Sequence, residues 1–170
     1  MACSGDIRML LDYNNPDGTK MDDHCFSKMF EKCAVLTTAP ELPATTLADG
    51  CYKDMFEGCT GLTMAPELPA TTLADSCYWG MFSECSGLTE APNLPATTLA
   101  DCCYYSMFCD CSSIKISETK SDEYNIEYRI PSFGEGVRTD DILYHMFDGT
   151  GGTFKGTPDI NKTYYLSASN

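Results

Sequence analysis

A block of 26 residues recurs three times almost verbatim along this chain. It reads CFSKMFEKCAVLTTAPELPATTLADG (25–50), CYKDMFEGCTGLTMAPELPATTLADS (51–76) and CYWGMFSECSGLTEAPNLPATTLADC (77–102). A fourth copy, CYYSMFCDCSSI (103–114), begins before the pattern breaks. Self-similarity at a fixed period of this length predicts a stack of coils, each burying its apolar side only against its neighbours. Such a stack offers an extended surface for binding. Nothing in the repeat itself performs chemistry.

Within one copy each position has a predicted task. Cys51, Tyr52, Met55, Phe56 and Cys59 fall at spacings that mark one apolar face of a short helical segment. Asp49, Asp75 and Asp101 stand just ahead of these segments, where a carboxylate caps a helix N-terminus. Leu62 and Ala65, with Leu36/Ala39 and Leu88/Ala91, read as a short extended piece ended by Pro66, Pro40 or Pro92. In the return leg LPATTLA, Leu68 and Leu73 point inward with Leu42/Leu47 and Leu94/Leu99. The Thr-Thr pair bonds irregular backbone between coils. The expected fold is α/β, a solenoid of about four to five coils with one helical turn and one parallel strand each, the strands roughly 5 Å apart.

Over residues 21–114 this pattern resembles the BspA-like branch of the leucine-rich repeats. It is similar to the YxxMFxxCxxLxxAPxLPATTLAxxC arrays of gut bacteria and their phages, a dozen positions recurring in register. Met21-Asp22-Asp23-His24 fills the slot before Cys25, so the array begins half a repeat early. Ser4-Gly5-Asp6-Ile7 and Leu10-Leu11-Asp12-Tyr13 look like the lead-in that precedes such arrays. The resemblance implies a right-handed, leucine-rich-repeat-like solenoid whose role is recognition or adhesion rather than catalysis.

After Ile114 the register shifts. Met146-Phe147 repeats Met107-Phe108 after one period plus an insertion, and Phe154 with Thr157-Pro158-Asp159-Ile160 echoes Leu62 and Ala65-Pro66-Glu67-Leu68. A degenerate last coil is therefore expected to shield the core. Ile126, Tyr128 and Ile130 alternate after the turn-like Lys120-Ser121-Asp122-Glu123, which predicts a β-hairpin over 114–131 that leaves the solenoid. The chain divides into a lead-in and cap (1–24), the repeat array (25–114), an insertion carrying the hairpin (115–141) and a capping repeat (142–170).

Charge narrows the partners. The chain carries a formal net charge of −14. From Asp54 to Ile114 there is no Lys or Arg, against Asp54, Glu57, Glu67, Asp75, Glu84, Glu90, Asp101 and Asp110. Nucleic-acid affinity comes chiefly from cations on phosphates, so direct binding of nucleic acid by this stretch is not expected. An anionic lipid surface is unsuited for the same reason. A basic protein fits, while solubility alone also accounts for the acids. No apolar run approaches the roughly 18 residues of a membrane span. The N-terminus lacks the basic start and apolar stretch of a secretory signal, so the expected location is cytoplasmic or virion-associated.

Eight of the 11 cysteines are two repeat positions: Cys25, Cys51, Cys77, Cys103 and Cys33, Cys59, Cys85, Cys111. On an apolar face these act as small buried hydrophobes and are expected to be reduced. Cys102-Cys103 and Cys109-x-Cys111 gather four thiols but lack the CxxC spacing of structural zinc. His24 and His145 have no companion nucleophile at a recognisable spacing. Asp12-x-Asn14 before Asp17-Gly18 fails as a calcium loop because Pro16 takes a ligand slot, and 14–18 reads as a tight turn. No phosphate loop or cofactor fingerprint is present. The chain is expected to be no enzyme, to need no cofactor or metal, and to take no small-molecule substrate.

A binding surface should lie where the copies disagree. One variable column reads Ser27, Lys53, Trp79, Tyr105; another reads Thr38, Met64, Glu90. Trp and Tyr concentrate binding energy at interfaces, so Lys53, Met64, Trp79, Glu90 and Tyr105 are the candidate partner-binding residues. The alternative is that Trp79 and Tyr105 shelter the coil edge or pack on the hairpin. Glu57, Glu84 and Asp110 form a secondary acidic face. Two functions fit: a protein-binding module of a phage or bacterial surface apparatus, or a small acidic phage-encoded inhibitor that occludes a basic site on a host or defence protein, such as one that binds nucleic acid.

Overall fold

In a computed structural model, which describes residues 1–12, 14, 20–131 and 141–168, successive 26-residue blocks lie side by side in register. The contacts between blocks run through a backbone arrangement that is neither helix nor strand. In the second block, the N–H groups of Cys51, Lys53, Met55, Glu57 and Cys59 donate to the carbonyl three residues earlier, at 3.0–3.2 Å. The alternate N–H groups, of Gly50, Tyr52, Asp54, Phe56 and Gly58, donate to Asp75, Cys77, Trp79, Met81 and Ser83 of the next block, at 2.8–3.1 Å. The same two sets recur from His24 to Lys32 and from Ser76 to Glu84, and they run on from Tyr104 to Asp110 against Ile142–Asp148. Every donor of this ribbon is thereby used, half within the block and half across it.

This corrects the expected helical turn in each block. Among the described residues the only helix is a 3-10 turn at Ile7–Leu10, so the α/β label does not hold. Most of the chain is non-helical, with one small mixed sheet of four strands. The reason lies in the backbone. A residue with positive φ recurs at every fourth position, as at Gly50, Asp54 and Gly58, or Ser76, Gly80 and Glu84. Left-handed residues end a helix, and the spacing read as helical is the period-four spacing of this ribbon. Non-glycine residues in that region cost about 1–2 kcal/mol each. The hydrogen bonds to the next block offset that cost.

With no helix to cap, the aspartates do something else. Asp49 Oδ1 accepts the N–H of Asp75 at 3.2 Å, and Asp75 Oδ1 accepts that of Asp101 at 3.2 Å. The expected strand in each block is also reduced, to single parallel bridges at Met64↔Glu90 and Thr72↔Thr98. Pro66 and Pro69, with Pro92 and Pro95, stand between the two bridges and withhold the donors a longer ladder needs. The threonines bond between blocks as expected: Thr71 O accepts from the N–H of Thr97 (2.8 Å) and Thr98 (3.1 Å), and Leu73 N–H donates to Thr98 O (2.9 Å).

Identical residues in successive blocks form continuous columns in the core. Phe30, Phe56, Phe82, Phe108 and Phe147 stack at centroid separations of 5.5–5.9 Å. Phe26, Tyr52, Tyr78 and Tyr104 stack at 5.9–6.0 Å. Met55, Met81, Met107 and Met146 are fully buried beside them, as are Leu36, Leu62 and Leu88. The second cysteine column has a specific role. The thiols of Cys59, Cys85 and Cys111 donate to the carbonyls of Phe30, Phe56 and Phe82 in the preceding block, at 2.9–3.0 Å. All 11 cysteines are free thiols. Burial pushes Cys51, Cys85 and Cys103 up to about 12.

The last part of the chain departs most from expectation. The strands are β1 (Lys115–Ser117), β2 (Tyr124–Arg129), β3 (Gly151–Gly152) and β4 (Thr163–Ser167), in the order β2-β4-β1-β3. β1 and β2 do not pair with each other, so the predicted hairpin is not there. β4 lies between them, antiparallel to both, and β3 runs parallel to β1. β4 wins that place because Tyr164 and Leu166 bury there. Nor does the unit leave the stack. Tyr128 and Ile130 are buried, and the Tyr128 hydroxyl donates to Pro92 O at 3.0 Å. Part of the expected insertion, 132–140, lies outside the described residues, as does most of the predicted tight turn at 14–18.

The two ends of the stack differ. At the C-terminal end, His145 N–H donates to Thr157 Oγ1 (3.0 Å) and Phe147 N–H to Gly156 O (2.9 Å), which closes the last ribbon. At the N-terminal end, residues 1–7 run beside 37–41 through Cys3 N–H to Thr38 O (3.0 Å) and Ile7 N–H to Glu41 O (3.2 Å). There Asp6 caps the 3-10 turn. The hydrogen bonds from Arg8 hold its carboxyl below the usual range, against the opposing pull of partial burial.

Candidate functional site

In the second block the variable column is occupied by Lys53, directly before the buried Asp54. Because every second residue of the ribbon bonds to its neighbour, Lys53, Trp79 and Tyr105 are brought to equivalent places on successive blocks. Lys53 Nζ lies 4.0 Å from the Trp79 ring centroid, and Trp79 stacks on Tyr105 at 4.3 Å with 26° between planes. The structure adds two residues that sequence reasoning missed. Tyr144 tilts against Tyr105 at 5.6 Å, and His145 meets Tyr144 edge-on at 3.8 Å. A signal for Tyr144 was present, since it precedes His-Met-Phe as Tyr105 precedes Ser-Met-Phe.

The result is one continuous ribbon, Lys53–Trp79–Tyr105–Tyr144, half-exposed until it reaches the exposed Tyr144. Its chemistry follows from the stacking. Lys53 covers one face of Trp79 and Tyr105 the other, so no ligand ring stacks on that indole. What remains available is a row of ring edges and the Tyr144 face, held in place before any partner arrives. That geometry suits contact with side chains and backbone of another protein.

The other two candidates stand elsewhere. Met64 and Glu90 bridge each other and line a groove of about 270 Å³ against β2 and β4. Met64 is 68% exposed. Of the five residues, Lys53, Trp79 and Tyr105 touch in sequence along the ribbon, and Met64 and Glu90 line the groove. The acidic face is divided too. Glu84 and Asp110 are exposed at positive φ, while Glu57 is half-buried. Burial, then the charges of Asp54 and Glu31, raises the Glu57 carboxyl above its usual range. Lys28 and Lys32 oppose that rise, and Lys32 is itself raised by Glu31, Glu57 and Glu84. Cations of the first block thus stand beside a stretch that contains none in sequence.

His145 Nδ1 pairs with Asp148 Oδ2. Cys109 lies within the influence of the same Asp148, but burial and then Asp110 push its thiol up to about 11, the protonated form at neutral pH. Among the described residues no group of three or more His, Cys, Asp or Glu side chains is placed to hold a metal ion. Among the same residues no helix is long and apolar enough to cross a membrane. No family model, curated protein or solved structure matches the chain.

Proposed function

We propose that this protein is a non-catalytic binding module whose partner is another protein, and that the Lys53–Trp79–Tyr105–Tyr144 ribbon is its principal contact surface. The observation that carries this reading is the pre-assembled ribbon, which places large aromatics at a surface without using them in the core. A rigid aromatic row loses little side-chain entropy on binding. The architecture fits the same reading. In-register blocks with stacked columns support a right-handed solenoid of the BspA-like leucine-rich-repeat kind, a scaffold suited to recognition in a phage or bacterial surface apparatus.

The acidic inhibitor is the second reading, supported by the in-register carboxylates of Asp49, Asp75 and Asp101. Affinity capture with the full chain, followed by titration of the captured protein, separates the two. On the first reading Trp79→Ala weakens binding by about 2 kcal/mol or more and salt has little effect. On the second, Glu84→Lys with Asp110→Lys abolishes binding, and affinity falls steeply with salt. Unchanged affinity in Trp79→Ala rules out the ribbon.

A further inference from the structure

We propose that the outer edge of β2 is a second docking site, one that takes an extended cationic peptide segment of a partner protein as an added strand. β2 ends the order β2-β4-β1-β3 and so pairs on one side only. Its free side is specified by the ladder. Ile130 N–H bonds Lys162 O at 2.9 Å, and the register continues through Tyr128↔Tyr164 and Ile126↔Leu166. In an antiparallel pair the bonded residues alternate, so the backbone groups of Glu127 and Arg129 face away from β4. Among the described residues no donor or acceptor reaches them. Among the described residues, four main-chain groups therefore stand open on one short edge.

The surroundings of that edge define the occupant. Beside it lies the groove that Met64 and Glu90 line, whose strand side is Ile126, Glu127 and Tyr128 of β2 with Leu166 and Ser167 of β4. Met64 and Ile126 are two of the most exposed large apolar side chains, at 68% and 47%. Glu67, Glu90 and Glu127 line the same groove, and among the described residues no Lys or Arg does. The nearby cations are engaged: Lys120 pairs with Glu127 at 3.8 Å, and Arg129 bonds Asn161. An extended segment that alternates apolar and basic side chains matches this set. Its main chain completes the ladder, its apolar residues cover Met64 and Ile126, and its cations meet Glu67 and Glu90 and compete with Lys120 for Glu127. A second copy is a poor occupant, because each chain carries −14 and two copies repel where a cationic segment is attracted.

The proposal shares the protein-binding reading but not its location, so its test is independent of the ribbon. The probe is an end-capped alternating Val–Lys peptide of about ten residues, titrated calorimetrically into the full chain. The expected result is saturable single-site binding. N-methylation of alternate amides on one edge of the peptide should weaken it about tenfold or more, while methylation of the other edge leaves it nearly unchanged. Met64→Lys and Glu127→Lys, both at exposed positions, should each weaken it by about tenfold with unchanged melting temperatures. Trp79→Ala should leave it unaffected. Absence of binding overturns the proposal, as does equal affinity of the two methylated peptides, which marks attraction by charge alone. A dimer in sedimentation that the peptide dissociates also overturns it, by giving the edge to a second copy. Loss of the captured partner in Trp79→Ala with no peptide binding sinks this site and leaves the ribbon standing.

Discussion

A buried phenylalanine column runs through the stack and an outer column flanks it from Lys53 onward, and the same backbone register builds both. The inner one, Phe30 to Phe147, keeps nearly constant spacing and planes within 13° of one another. The outer one starts tightly, at 4.0 Å and 4.3 Å, then loosens to 5.6 Å and 48° at Tyr144. Both are aligned by inter-block bonds such as Phe56 N–H to Met81 O and Asp54 N–H to Trp79 O. Register alone therefore stacks side chains whether or not they are buried. Burial decides which column holds the fold and which is left free to meet a partner.

The largest test of that division is at the centre of the inner column. Phe82→Ala should cost about 3–5 kcal/mol in chemical denaturation, because rings on both sides hold the cavity open. Phe30→Ala should cost clearly less, since that ring is only partly buried and stacks on one neighbour. Equal, small losses at both positions would mean the columns do not carry the stability. Gly80 breaks the register without touching either ring. Its φ is +56°, and a Cβ there would stand 2.3 Å from Asp54 Oδ1. Gly80→Ala should cost about 1–3 kcal/mol, and tryptophan fluorescence should report a loosened Trp79–Tyr105 stack. Trp79→Ala should cost about 1 kcal/mol or less, because half-exposed stacking with a lysine above it contributes little to folding. A loss as large as that of Phe82→Ala would place Trp79 in the core and remove the candidate surface.

How much of this was legible in the sequence varies from residue to residue. The repeat period, the burial of Met55, Phe56, Leu62 and Leu73, and the bonding of the Thr-Thr pair all follow from a pattern that states them many times. The helical turn was misread because buried spacings of four and one fit a helix as well as a period-four ribbon. The residues that exclude a helix, such as Asp54 and Glu84 at positive φ, carry no such label in their side chains. The hairpin failed for a different reason. Tyr164 and Leu166 are distant in sequence, and only their burial explains why β4 displaces β2 from β1. Trp79 and Tyr105 are singled out as candidates by comparing copies, and the structure stacks them on one another. That Met64 and Glu90 line a groove against β2 and β4 is not readable from that comparison, since the 26-residue alignment records column membership and not what packs beside each column.

The smallest expected effect lies at the joint between the columns. Asp54 follows the outer residue Lys53 and precedes the inner pair Met55-Phe56, and its carboxylate packs beside Gly80. Burial raises its carboxyl above the usual value, and the cations of Lys28 and Lys53 only partly restrain that rise. The sign follows directly. A carboxyl with its folded pKa above its unfolded one binds its proton more tightly in the folded state. Ionised Asp54 therefore costs stability at neutral pH, and that cost disappears as pH falls through the raised folded pKa towards the ordinary carboxylate range. Asn tolerates the same positive φ and carries no charge. Asp54→Asn should thus raise stability at neutral pH, by less than about 1 kcal/mol, because the opposing Lys28 pair at 3.8 Å is partly exposed. The gain should shrink on acidification, and denaturation curves of both proteins across pH 4–7 would record it. A loss of stability at neutral pH would show that the Lys28 pair outweighs burial, so that ionised Asp54 holds the first two blocks together.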